Sequence, residues 1–184
     1  MAAGHPLAVA VIFLGMKPSA IIVDLDSTFF DPTHRLHLIQ TKPKRWDEFF
    51  ALAHLDAPNK WCLEIVKSMQ ERHEILFVTG RRDSDRASTE QSLRKHLNMH
   101  DIPSRLWMRK VNDRRDPALV KKEIYEAHIV PHYNVLFALD DSGGIIRLWR
   151  SLGIPALQCD DWEERDAAAA AEIALHFAKE HSQS

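Results

Sequence analysis

The stretch that decides the fold is Ser19-Ala20-Ile21-Ile22-Val23-Asp24-Leu25-Asp26-Ser27-Thr28. Its first half is an apolar, β-branched run without alternation, the pattern of a strand covered on both faces. Its second half sets two carboxylates two residues apart. On an extended chain such side chains point the same way, so Asp24 and Asp26 can enter one pocket. A D-x-D pair is weak by itself, because acids often end strands for solvation. Its meaning depends on what else the chain brings to the same sheet edge.

Working outward, the apolar runs Ile75–Thr79, Leu106–Met108, Val135–Leu139 and Ala156–Gln158 repeat the character of Ala20–Leu25. Amphipathic segments separate them. Cys62, Ile65, Val66 and Met69 fall at i, i+3, i+4, i+7, and Ile145, Leu148, Trp149 and Leu152 repeat that spacing. Ser84–Asn98 and Pro117–His128 are further helical segments, the latter opened by a proline where proline is tolerated. This alternation predicts an α/β fold: a three-layer α/β/α sandwich, Rossmann-like, with a mainly parallel sheet. The core is expected over residues 20–160, with an N-terminal extension or extra strand over 1–19 and an acidic helix over 161–184. Residues 29–58 have room for at most a small cap or a substrate rim.

The 184 residues suit one domain, and 24 Lys+Arg against 26 Asp+Glu leave no global bias toward polyanions or membranes. The balance is local: residues 105–122 hold seven basic and two acidic side chains. Leu7–Met16 is too short to span a bilayer, which needs roughly 20 residues, and lacks the preceding Lys/Arg of a signal peptide. It is expected to be a non-secretory extension, and Met16 could itself be the natural start. The two cysteines, Cys62 and Cys159, are far apart and form no C-x-x-C, so reduced thiols in a cytoplasmic protein are expected.

Three further groups follow the first motif. Thr79-Gly80-Arg81 ends the second long run: a hydroxyl, a residue permitting close backbone approach, and a guanidinium. Lys121 lies in the helix after the basic stretch, and Asp140-Asp141 ends the run VLFAL. Three of these four groups sit at the carboxyl ends of strands, where open α/β sheets bind ligands. Phe49-Phe50 reads as core rather than as a stacking platform. His34, Arg35, His37, Lys42, Lys44 and Arg45 read equally as a substrate rim or a solvated loop.

In this order of motifs the sequence resembles the haloacid-dehalogenase-like superfamily of phosphotransferases. Pro117–Gln158 is similar to the phosphatase domains of bacteriophage polynucleotide kinase–phosphatases, through V-K-x-E-I, H-I-x-P-H, D-D and W-R-x-x-G-I. The resemblance implies an Mg²⁺-dependent phosphomonoester hydrolase working through an aspartyl-phosphate. It implies Asp24 as nucleophile, Asp26 as acid and base, and Thr79 and Lys121 on the phosphoryl oxygens. Asp24, Asp26 (through its backbone carbonyl), Asp140 and Asp141 would hold the metal. Lys122 is the alternative to Lys121. Thr28, Gly80, Arg81, Arg82, Arg109 and Arg114 are the expected substrate contacts. Ser27 departs from the glycine usual in that loop, and no G-x-x-x-x-G-K-[ST] is present, so this chain is expected to be a phosphatase alone.

A lightly covered site beside a basic stretch favours a polymer chain end over a small metabolite; together with the resemblance, this implies removal of 3′-terminal phosphate from nucleic acid, with a separate kinase or ligase as the expected partner. A 5′-nucleotidase acting on free nucleoside monophosphates and a catalytically idle binding module are the competing readings.

Overall fold

The computed structural model describes residues 17–97, 99 and 101–160. The extension Leu7–Met16 and the acidic segment 161–184 therefore lie outside the described residues. In chain order the strands are β1 (Ser19–Val23), β2 (Phe30–Asp31), β3 (Ala57–Pro58), β4 (Glu74–Arg82), β5 (Leu106–Arg109), β6 (Asn134–Asp140) and β7 (Ala156–Gln158). The helices are α1 (His37–Gln40), α2 (Trp46–Ala51), α3 (Lys60–Met69), α4 (Arg86–His96), α5 (Pro117–Ile124) and α6 (Gly143–Ser151).

Five strands form one parallel sheet in the order β5-β4-β1-β6-β7. Each unalternating apolar run of the sequence is one of them; burial on both faces accounts for β1 and β4, whereas Leu136 of β6 and Leu157 of β7 are exposed. Ile21 and Val23 of β1 enter one apolar layer with Cys62 and Val66 of α3 and Leu93 of α4. Ala20 and Ile22 enter the other with Ile145, Ile146 and Trp149 of α6. Neighbouring residues of one strand thus serve opposite layers, as the pleat requires.

Local chemistry sets the helix ends that matter to the site. The Asp116 carboxylate accepts from the Ala118 N–H at 2.7 Å, capping α5 just before Pro117. The segment expected to be one helix to His128 instead passes from α5 into a π-helical turn, Tyr125–Ile129. Gly153, with φ +78°, ends α6 in the left-handed region that glycine enters without steric cost.

Residues 30–58 leave the sheet and return to it. β2 and β3 pair antiparallel as a stalk, Phe30 opposite Pro58, and α1 and α2 lie between them. Leu38, Ile39 and Phe49 are buried there, with Leu36, Phe50 and Leu52 packed against them. This is a small cap with an apolar cluster of its own.

Candidate active site

The central position of β1 builds the site floor. Val23 stands level with Phe77 of β4 and Leu139 of β6, so the residues that follow emerge side by side at one sheet edge. The Asp24 N–H donates to the Leu139 carbonyl at 3.0 Å, fixing Asp24 beside Asp140. Ligand oxygens of Asp24, Asp140 and Asp141 all lie within 4.8 Å of one another, and all three residues are buried. Lys121, buried on α5, donates to Asp24 Oδ1 at 2.6 Å and to Asp140 Oδ2 at 2.7 Å. Lys122, the alternative, is paired with Glu126 on the outer side of the helix.

Three carboxylates against one ammonium leave this buried group with two uncompensated negative charges. Burial pushes the Asp24 carboxyl well above its ordinary range, opposed by Lys121 and reinforced by Asp140 and Asp141. Asp141 is pushed up to about 7 by burial and then by Asp140, with Lys121 opposing. Burial alone would discharge Lys121, but Asp140 and Asp24 outweigh it and hold the ammonium charged. A cluster of hard oxygens lacking two positive charges fits a divalent cation such as Mg²⁺.

Asp26 belongs to a second group. Its Oδ1 accepts from Arg81 Nε at 3.0 Å, Arg81 Nη2 at 2.6 Å and Arg35 Nη2 at 2.5 Å. The same guanidiniums hold Asp56, through Arg35 Nε at 2.8 Å and Arg81 Nη2 at 2.7 Å. Two carboxylates and two guanidiniums balance. Burial would raise the Asp26 carboxyl, but Arg81 and Arg35 together hold it below its ordinary value. All the guanidinium contacts go to Oδ1, which leaves Oδ2 for chemistry. Arg35 also donates to the Phe49 carbonyl at 3.2 Å and lies 3.9 Å from the centroid of that ring, so it fastens the cap to the D-x-D loop.

Both groups open into a cleft of about 1130 Å³. Asp24, Asp26, Thr79, Gly80, Lys121, Asp140 and Asp141 line its floor; α2 with Lys44 and Arg45 forms one wall, and residues 111–115 the other. The space beside the Gly80 Cα is open, so a ligand can approach that backbone closely.

Several expectations about substrate contacts meet a different geometry. Thr28 does not line the cleft: it is buried, with its hydroxyl 3.3 Å from Cys159 Sγ. Arg81 is buried on the carboxylates and keeps one unpaired donor, Nη1. Arg82 and Arg109 do line the cleft, yet Arg82 is paired with Asp47, and Arg109 spends its Nη1 on the Asp113 and Arg115 carbonyls. Arg114 is exposed on the wall and has no side-chain partner among the described residues. Arg35, read as rim or solvated loop, is wholly buried. Asp56 was missed altogether; a lone acid before an Ala-Pro pair carries no signal in sequence. Ser27, lacking glycine's freedom, is held at φ +62°.

Comparison with known proteins defines the class first. The fold is shared, at 14% identity and a TM-score of 0.56, with a class C acid phosphatase from Bacillus anthracis, over 80% of this chain and 70% of that one. Chains of the Pnkp1/Rnl/Hen1 RNA repair complex are more similar in sequence. One is 28% identical with a TM-score of 0.64, covering 78% of this chain and 43% of its own; another, at the same identity, has a TM-score of 0.67, covering 79% and 47%. A protein of Autographa californica nuclear polyhedrosis virus, described as a bifunctional polynucleotide kinase/RNA ligase, is 28% identical over 151 residues. Those are 80% of this chain and 20% of the viral protein, so the chain spans a fifth to a half of the viral protein and the repair-complex chains. Residues 18–163 match the polynucleotide kinase PNKP phosphatase-domain model, and the chain belongs to that family of haloacid-dehalogenase-like phosphatases. Among the described residues no helix is long and apolar enough to cross a membrane.

Proposed function

We propose that this chain hydrolyses the 3′-terminal phosphomonoester of a polynucleotide through an aspartyl-phosphate on Asp24, with Mg²⁺ as cofactor. The observation that carries the reading is the pairing of two charge groups at one sheet edge: a metal-ready cluster around Asp24, and a neutral network around Asp26. The relatives' ties to polynucleotide kinases and RNA repair support the polynucleotide, as does the exposed Arg114 of the cleft, which has no side-chain partner among the described residues.

Asp24, Asp140 and Asp141 would hold Mg²⁺, which when bound supplies positive charge and Lewis acidity to the phosphoryl oxygens. Lys121 is a second fixed cation at the same place, and the Thr79 hydroxyl and Gly80 N–H bound the position of a phosphoryl oxygen. The Asp24 carboxylate attacks phosphorus as the bond to the 3′ oxygen breaks, and Asp26 protonates that oxygen. Water then attacks the aspartyl-phosphate and gives its proton to Asp26, releasing phosphate. Arg35 and Arg81 keep Asp26 charged at rest. Its proton is therefore taken up at Oδ2 as the phosphate dianion enters and offsets the guanidinium field.

A phosphate-release assay with Mg²⁺ compares a 3′-phosphorylated oligonucleotide, a 5′-mononucleotide and a small aryl phosphate. The highest kcat/KM is expected on the oligonucleotide. Turnover of the mononucleotide alone would make the chain a nucleotidase, and no turnover of any of the three would make it an idle module.

A further inference from the structure

We infer that Asp47 is a specificity-determining residue that works by competition: on Arg82 it occupies the place of the phosphodiester preceding the substrate's terminal nucleotide, and that phosphodiester displaces it. This rests on the polynucleotide reading above and deepens it.

Arg82 ends β4, three residues beyond Thr79, and lines the same cleft as the catalytic carboxylates. Arg81 is spent on Asp26 and Asp56, so Arg82 is the first cation outward along β4 that faces the cleft. A strand whose terminal phosphate sits at Thr79 and Gly80 brings its next phosphate toward that guanidinium. Asp47 reaches the same guanidinium from the cap, in the first turn of α2.

Three features make this ion pair exchangeable. The Asp47 side chain is 89% exposed, and an exposed pair of this kind contributes little to a fold. Arg82 gives it a single N–H, from Nη1, and its other donors have no partner among the described residues. Two oxygens of a phosphodiester can take two N–H groups of the guanidinium fork at once, a stronger grip than Asp47 has. Finally, the cation is held without Asp47: Arg82 Cζ lies 5.1 Å from the centroid of the Phe50 ring. The sequence reading of Phe49-Phe50 as core holds for Phe49; Phe50 is half-buried and faces the cleft. Arg109, level with Arg82 on β5, adds a second positive charge and pairs with no carboxylate among the described residues.

The exchange has a direction. A substrate whose only phosphate is the terminal one gains nothing from Arg82 while Asp47 holds it. A polynucleotide brings a second anion, takes the guanidinium and returns Asp47 to water. Asp47 therefore weakens binding of every substrate that uses Arg82, and its removal should tighten that binding. Loss of a merely structural ion pair would do the opposite.

The test uses the full chain with Mg²⁺ and two 3′-phosphorylated dinucleotides, one with its natural phosphodiester and one with an uncharged methylphosphonate in its place. Asp47→Asn should lower KM for the charged dinucleotide by about three- to fivefold, the scale of one exposed ion pair, with kcat little changed. It should have no comparable effect on the methylphosphonate. Glu48→Gln removes the neighbouring acid, which pairs with Arg45 instead, and should not reproduce the gain. Arg82→Gln should raise KM for the charged dinucleotide by about threefold or more and, combined with Asp47→Asn, abolish the gain. An unchanged or raised KM in Asp47→Asn, an equal effect on both dinucleotides, an equal gain from Glu48→Gln, or a gain that survives Arg82→Gln overturns the exchange while leaving the phosphatase reading intact. Hydrolysis of neither dinucleotide by the unmutated protein overturns that reading and the exchange with it.

Discussion

Removing the Asp56 carboxylate should damage stability and catalysis by separable amounts. Asp56 is buried and takes hydrogen bonds from Arg35 Nε at 2.8 Å, from Arg81 Nη2 at 2.7 Å and from His34 Nε2 at 2.9 Å, besides the Arg35 Nη2 contact. Asp56→Ala leaves two buried guanidiniums facing one carboxylate oxygen of Asp26. Breaking a buried pair by deleting one partner costs about 3–5 kcal/mol. For a domain whose whole stability is of the order of 5–15 kcal/mol, that is a large fraction. Asp56→Asn keeps one acceptor oxygen but turns an amide N–H toward the two Nη2 donors, so about 2 kcal/mol or more is expected, and this variant should remain folded.

The catalytic consequence has a sign. With Asp56 neutral, both guanidiniums act on Asp26 alone and hold its carboxyl further below its ordinary value. In Asp56→Asn the limb of the pH–rate profile that reports Asp26 should therefore move to lower pH, and kcat should fall because the acid is harder to protonate. Urea unfolding of metal-free protein measures the first effect, and pH profiles on a 3′-phosphorylated oligonucleotide the second. An alanine variant within about 1 kcal/mol of the parent, together with an unmoved profile in the asparagine variant, would refute the coupling of the two carboxylates through Arg35 and Arg81.

Asp24→Asn should leave less than about a hundredth of the activity, since loss of a nucleophile commonly costs several orders of magnitude. The same variant should be at least as stable as the parent without metal, because it removes a buried like charge; marked destabilisation in thermal melts would contradict that. Asp141, pushed up to about 7, binds its proton more tightly in the folded state than in the unfolded one. Between roughly pH 4 and 7 the metal-free fold should thus lose stability as pH rises. Added Mg²⁺ should raise Tm more at pH 8 than at pH 5, and an equal rise at both would deny a proton-linked metal site. Arg114→Ala should raise KM for an oligonucleotide at low salt and lose its effect at high salt, while Arg109→Ala should instead loosen the 109–115 loop and lower Tm; the reverse pattern would exchange their roles.

The sheet was legible because β1, β4, β5, β6 and β7 each occupy an unbroken apolar run, which burial on both faces explains for the central β1 and for β4. The gathering of Asp24, Lys121, Asp140 and Asp141 was legible for a related reason: in a parallel sheet, residues ending neighbouring strands share an edge. The Asp26 network was not. Arg35 and Asp56 lie in a polar-looking segment, and nothing in that segment states that a guanidinium will be buried rather than solvated; its burial depends on the antiparallel stalk of Phe30–Asp31 with Ala57–Pro58 closing over it. For the same reason the sequence did not show that Arg81 is buried on two carboxylates or that Arg109 spends donors on the Asp113 and Arg115 carbonyls. A sequence shows where a cation is, and only the fold shows which anion or carbonyl has already claimed it.

The two charge groups explain each other. Had Asp26 stood among Asp24, Asp140 and Asp141, a fourth carboxylate would have raised every pKa there and left a divalent ion unable to balance the site. Placing it two residues on hands it to Arg81 and Arg35 instead. Those arginines in turn depend on Asp56 and on the Phe49 carbonyl, both parts of the cap. Proton transfer at Asp26 is thereby tied to the cap, whereas nucleophilic attack at Asp24 is tied to the metal cluster and α5. Disturbing the cap should therefore fall on proton transfer to the leaving oxygen first. Substrates whose leaving group needs no proton, such as activated aryl phosphates, should feel cap substitutions least.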